Sequence, residues 1–228
     1  MSLARKVLIA CLLLGSWLVS SGCNPLSETT VEIRPTLVVS PHPTQSDTGW
    51  VPWPFCTYPF NPSPDAADQS KGELLVGYSH TYRDGTCWQH YNVIYQGAVL
   101  FPVLEKLGGK KFVVKARLQY SLEGRGNSCA KSLWLTETDW SHGWNGDNLI
   151  PVTDRLALLP PGGTSFDIDV TNIVNHWARG TTPNTGFIFL GAKENFDAFS
   201  DTDMLTSERC QSLYNNFVLV VTFLQKAP

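Results

Sequence analysis

From Phe112 to Tyr120 the apolar residues fall on alternate positions. Phe112, Val114, Ala116, Leu118 and Tyr120 are interleaved with Val113, Lys115, Arg117 and Gln119. Side chains of a strand point alternately to opposite faces, so this spacing predicts a strand with one buried face. The same rhythm returns at Phe166, Ile168 and Val170, which alternate with Asp167 and Asp169. Phe187 to Leu190 is a short apolar run, and Phe217 to Leu224 is apolar on both faces, as a central strand should be. Gly, Pro, Asn and Asp separate the runs. Many short strands divided by turn residues predict an all-β, jelly-roll-like sandwich over residues 72–226. One segment breaks the pattern. Val170, Val174 and Trp177 share a face at helical spacing, and Gly180 then Pro183 follow. A short helix is expected over 171–179, with Asp169 or Thr171 at its start.

The first 22 residues have a different character. Arg5 and Lys6 precede an apolar stretch from Val7 to Val19, which ends in Ser20-Ser21-Gly22-Cys23. A basic start, a short apolar run and a small-residue end form an export signal, too short to span a bilayer as a helix of ~20 apolar residues. The ending resembles the bacterial lipobox, although Ser20 stands where Leu is usual. The expectation is an exported protein, at the cell surface or outside the cell, anchored to the membrane through lipid on Cys23.

Cysteine usage agrees with export. Of six cysteines, Cys11 lies in the signal and Cys23 is the lipid candidate, which leaves Cys56, Cys87, Cys129 and Cys210. An even number in an exported domain reads as two disulfides. Three connectivities are possible. Nearest-neighbour pairing gives Cys56–Cys87, and elimination then gives Cys129–Cys210. The cysteines are too widely spaced for a zinc site. The net charge is −3, and −5 once Arg5 and Lys6 leave with the signal. A mildly acidic chain without a basic patch is a poor nucleic-acid binder. A monomer is expected.

Residues 23–49 are rich in Ser, Thr and Pro and read as a tether, able to hold a domain ~75 Å from its anchor at ~3.1 Å per residue. Residues 50–71 pack Trp50, Trp53, Phe55, Tyr58 and Phe60 among prolines and Cys56. That segment is too aromatic for a free linker and should lie on the domain.

The helical segment also carries a resemblance. Asp169-Val170-Thr171, Val174, Trp177, Gly180, Asn184 and Gly186-Phe187 follow the spacing of a family signature. Further pieces agree in order: Gly97-Ala98-Val99-Leu100-Phe101, Lys115-Ala116-Arg117-Leu118, Trp140 with Trp144-Asn145, and the last strand Phe217 to Phe223 behind Ser207-Glu208. Over residues 72–224 the chain resembles the DNRLRE domain, also described as carbohydrate-binding module family 96. The resemblance implies a secreted or surface sandwich that binds polysaccharide.

Sugars present apolar C–H faces and many hydroxyls, so a sugar site needs exposed rings beside polar groups. Trp140 and Trp144, with Asp139, Asn145 and Asp147, could supply both; Trp50 and Trp53 are the other aromatic pair. The alternative is that Trp140 and Trp144 cover one end of the sandwich, which would make the chain a structural or protein-interaction module. Trp177 should be core, and His176 beside it exposed. No cofactor is expected. Glu194, Asp197, Asp201, Asp203 and Glu208 could hold a structural calcium ion, although a solvated acidic loop is the plainer reading. Phosphate-loop, nucleophile-elbow and zinc-protease motifs are missing. A small hydrolase using Glu123, Glu137 or Asp139 is the least favoured reading. The chain is expected not to be an enzyme.

Overall fold

The computed structural model describes residues 26–40, 44–48, 71–83, 89–108, 112–123, 129–142, 144, 148–199 and 207–226. Among the described residues twelve strands form two antiparallel sheets packed face to face, the all-β sandwich that the alternating runs predict. The first sheet contains β1 (Leu26–Ile33), β3 (Thr44–Thr48), β4 (Leu74–Arg83), β5 (Gln89–Tyr95), β7 (Phe112–Leu122), β10 (Ser165–Asp169) and β12 (Glu208–Lys226). The second contains β2 (Leu37–Val39), β6 (Gly97–Leu100), β8 (Lys131–Trp134), β9 (Arg155–Leu159) and β11 (Phe187–Gly191).

The 19-residue β12 organises the first sheet. Tyr214 is paired with Leu74 of β4 on one side and Leu122 of β7 on the other. Leu219 is paired with Ile33 of β1 and Leu118 of β7. So β4 and β1 lie end to end along one edge of β12, and β7 fills the opposite edge.

This arrangement corrects the domain boundary. The stretch expected to be a tether over 23–49 supplies three strands. β1 pairs with β12 along its whole length, β2 pairs with β6, and β3 pairs with β5. Ser and Thr lower the hydrophobicity, which reads as linker, yet Thr29, Thr30, Val31 and Ile33 are β-branched and suit a pleated surface. β1 needs only one buried anchor at its end, Ile33. The sandwich therefore begins by Leu26 rather than at 72. The segment 50–70 lies outside the described residues.

A second correction concerns β7. Ala116, Leu118 and Tyr120 are buried as expected, but the next buried position toward the strand's start is Val113. Phe112 and Val114 are exposed. The register against β12 slips between Thr222 and Phe223, and one extra residue enters β7 there. Such a bulge turns every residue beyond it to the other face.

Between the sheets Tyr120 is central. Its ring stacks on Phe166 at 4.8 Å and meets Tyr214 and Phe189 edge-on, each at 5.3 Å. The expected helix is α2 (Thr171–Arg179), which turns Val174, Trp177 and Ala178 inward. Trp177 packs 5.0 Å from Phe187. Asp169 accepts from the Thr171 amide at 2.9 Å. The far end closes with Gly180 at φ 66° donating to Trp177 O, and Thr181 donating to His176 O. This is the left-handed glycine stop that the sequence indicates. α1 (Val103–Leu107) is one further turn, with no periodic signal of its own.

The connections sort to two ends. α1, α2 and the 135–154 loop join strands at one end, here the helical end. The links from β7 to β8, β9 to β10 and β11 to β12 lie at the other. There Cys129, just ahead of β8, is bonded to Cys210 of β12, with Cα atoms 5.7 Å apart. The bond staples the two sheets, and Cys210 sits within β12 rather than in a loop before it. Cys56 and Cys87 lie outside the described residues. Here the sheets also approach closely: a Cβ on Gly191 would stand 2.6 Å from Gly77 Cα. Gly77 itself has φ +139°, and a Cβ there would overlap the Cys210 carbonyl, so neither position has room for a side chain.

Candidate functional site

The loop from Leu135 to Asp154 folds down over the outer face of the second sheet. Its base is zipped by Leu135 N–H to Asp154 O and Thr153 N–H to Leu135 O, both 2.9 Å. Farther out, the Gln96 side chain clamps Ile150 from both sides. It donates to Ile150 O at 2.8 Å and accepts from Ile150 N–H at 2.6 Å.

Trp140 lies under this loop and is 4% exposed. It packs with Ala98, Ile150, Ile188 and Leu190, and its indole N–H donates to Thr185 O at 2.6 Å. Gly186 (φ +74°) makes the ring's place, since a Cβ there would approach Trp140 within 3.1 Å. This ring is packing; it offers no face on which a sugar could stack. Trp144 differs. It packs against the edge of the same cluster but is only half-buried, and its indole N–H, held by Asn148 O at 2.9 Å, fixes its plane.

Beside them Asp139 is exposed. Its carboxylate accepts from the Ser141 hydroxyl at 2.6 Å and the Ser141 amide at 3.1 Å. His142 Nδ1 stands 3.7 Å away. The Ser141 hydrogen bonds, first that of the hydroxyl, hold the Asp139 carboxyl below its ordinary range. Asp139, Ser141 and His142 thus form a fixed polar trio on the loop that carries Trp144. Asn145, Asp147, Trp50 and Trp53 lie outside the described residues, as does Cys23.

A second cluster, at the stapled end, is one that sequence reasoning missed. Tyr78, Ile94, Phe199 and Cys210 are buried together, with Cys129 and Phe196 against them. Phe199 meets Tyr78 edge-on at 5.7 Å. Lys193 Nζ lies 5.4 Å from the Phe199 ring and 5.9 Å from the Tyr78 ring, a cation over two aromatic faces. The Tyr78 hydroxyl donates to Glu208 at 2.5 Å. Burial first, then this bond to a carboxylate, raises the phenol's pKa. His80 shares a 2.6 Å bond with Asn92. Tyr78, His80 and Tyr82 occupy alternate positions of one strand, and that is the signal that would have found the cluster.

Lys131 is 1% exposed and donates to Cys129 O at 2.8 Å. Burial lowers its pKa to about 8. Glu123 is bonded to Asn215 on the first sheet, whereas Asp139 belongs to the loop over the outer face of the second, so these two do not face each other. Among the described residues no group of three His, Cys, Asp or Glu side chains is placed to hold a metal ion. Asp201 and Asp203 lie outside those residues.

No model of a known protein family matches the chain, and no curated protein matches it.

Proposed function

We propose that this chain is an exported, lipid-anchored, non-catalytic module that displays a β-sandwich at the cell surface to bind polysaccharide. The resemblance to the DNRLRE domain supplies the ligand class. The observation that carries the site is that one loop carries both a half-buried, orientation-fixed indole, Trp144, and the polar trio of Asp139, Ser141 and His142. A ring that gains from apolar burial and a fixed set of acceptors and donors answers the two sides of a pyranose. Trp140 has no part in it.

The buried Trp140 also favours a second reading, a structural or protein-interaction module in which the loop only seals the outer face of the sheet. Polysaccharide gel retention of the Cys23→Ser chain separates the two. Trp144→Ala should weaken retention and leave the melting temperature unchanged. Trp140→Ala should cost ~3 kcal/mol of stability, the range for a buried large aromatic. A wild-type chain retained by no polysaccharide leaves the interaction module as the answer.

A further inference from the structure

Five large apolar side chains stand well exposed among the described residues: Leu26 (63%), Leu104 (51%), Phe112 (51%), Val114 (40%) and Leu158 (62%). Four of them belong to the helical end. Phe112 is paired with Leu224, which on its other side is paired with Glu28. Leu26 is two residues farther along that face of β1. Val114 is turned outward by the bulge, and Leu104 sits on α1 where the chain crosses between the sheets. Lys106, Lys115, Arg155 and Arg179 are exposed at the same end, together with the acids Glu28, Glu105, Glu137, Asp139, Asp154 and Asp169, so the apolar residues rather than the charge set this end apart.

Cys23 is separated from Leu26 by Asn24 and Pro25 alone. Three steps of fully extended chain span no more than about 11 Å between Cα atoms. An acyl chain on Cys23 would therefore hold the start of β1 within the depth of the headgroup layer, not ~75 Å from it. Exposed apolar side chains held at that depth suit the layer, which takes them at the acyl boundary.

We infer that the rim of the helical end formed by the first sheet and α1 is a membrane-apposed face, with Leu26, Leu104, Phe112 and Val114 at the lipid surface, while the stapled end and the loop that carries Trp144, on the outer face of the second sheet, are directed away from the lipid. This rests on lipidation of Cys23. The test uses full-length protein reconstituted in vesicles of phosphatidylcholine and phosphatidylglycerol. Leu104→Cys and Leu158→Cys carry the same fluorophore, and labelled wild-type chain gives the background. A lipid-borne spin label should quench the Leu104→Cys probe severalfold more than the Leu158→Cys probe. Insertion of about 20 Gly and Ser residues between Pro25 and Leu26 should shrink that difference. Mass spectrometry of the N-terminal peptide reports the lipid in the same sample. A lipidated Cys23 with equal quenching at both positions overturns the apposed face and leaves the anchor standing. An unmodified Cys23 overturns both.

Discussion

The two ends of the sandwich are closed by different means. The helical end relies on packing: α2 lies along the edge of β7, Asn175 accepts from Val113 N–H at 3.2 Å, and Trp177 fills the interior. It leaves apolar side chains uncovered at its rim. The stapled end is closed covalently through Cys129 and Cys210, around a cluster that mixes aromatic rings with His80, Lys193 and Glu208. A packed end can keep a greasy surface for a neighbour. A crosslinked end can hold polar groups inside, because its closure does not depend on hydrophobic burial alone.

The strongest test of this contrast removes a strand that serves the packed end. A chain cut at residue 72 lacks β1, β2 and β3, and bares the edge of β12 that β1 covers. It should lose cooperative unfolding by circular dichroism altogether. A sharp transition in that fragment would mean that the N-terminal strands are an accessory, not part of the fold. Next in size is the double change Cys129→Ser with Cys210→Ser. The bond closes a loop of 81 residues, which predicts a loss of ~4 kcal/mol in denaturant titration. Hydrogen exchange should then speed up around Tyr78 and Cys210 and stay slow in α2. Equal acceleration at both ends would erase the distinction between them.

Lys131 gives a smaller effect with a definite sign. Its folded pKa, about 8, lies below the ordinary lysine value, so between these values the unfolded chain binds a proton that the folded chain does not. Stability should therefore rise with pH across that window, by up to ~1.4 kcal/mol per unit, and the rise should be absent in Lys131→Met. A wild-type slope that Lys131→Met retains would assign the titration to another group. The smallest effect belongs to the helical end. Asp167 takes a 2.8 Å bond from Arg117, and that bond first of all holds its carboxyl below the usual range. The stabilisation is present above the ordinary carboxylate range and is lost as pH falls below it. The pair is partly exposed, so Asp167→Asn should shift thermal melts only at the edge of detection at neutral pH. A larger loss would mean that the packed end leans on charge.

Much of the sandwich was legible because burial imposes a period. Phe166, Ile168, Ala116, Leu118 and Tyr120 alternate as the core demands, and Trp177 with Gly180 marks the helix and its stop. The misreadings share one cause: strand identity was decided by partners far along the chain. β1 looks like linker until β12, some 190 residues later, pairs with it. Phe112 and Val114 look inward-facing until a bulge against β12 reverses them. Site residues were harder still. Trp140 and Trp144 are four positions apart in one loop, yet one is sealed beneath it and the other meets solvent; only the Thr185 carbonyl and Gly186 distinguish them. The stapled-end cluster gathers residues from 78 to 210, and no local motif announces such a union.

The pairing of β1 with β12 also has a mechanical meaning. Tension between an anchor at Cys23 and a load at the stapled end would run along the axis of β1. The hydrogen bonds of an antiparallel ladder lie across that axis. All the rungs from Leu26 to Ile33 would then be strained together in shear, and none could be peeled ahead of the rest. A domain attached in this way would grip a membrane through the full length of a strand.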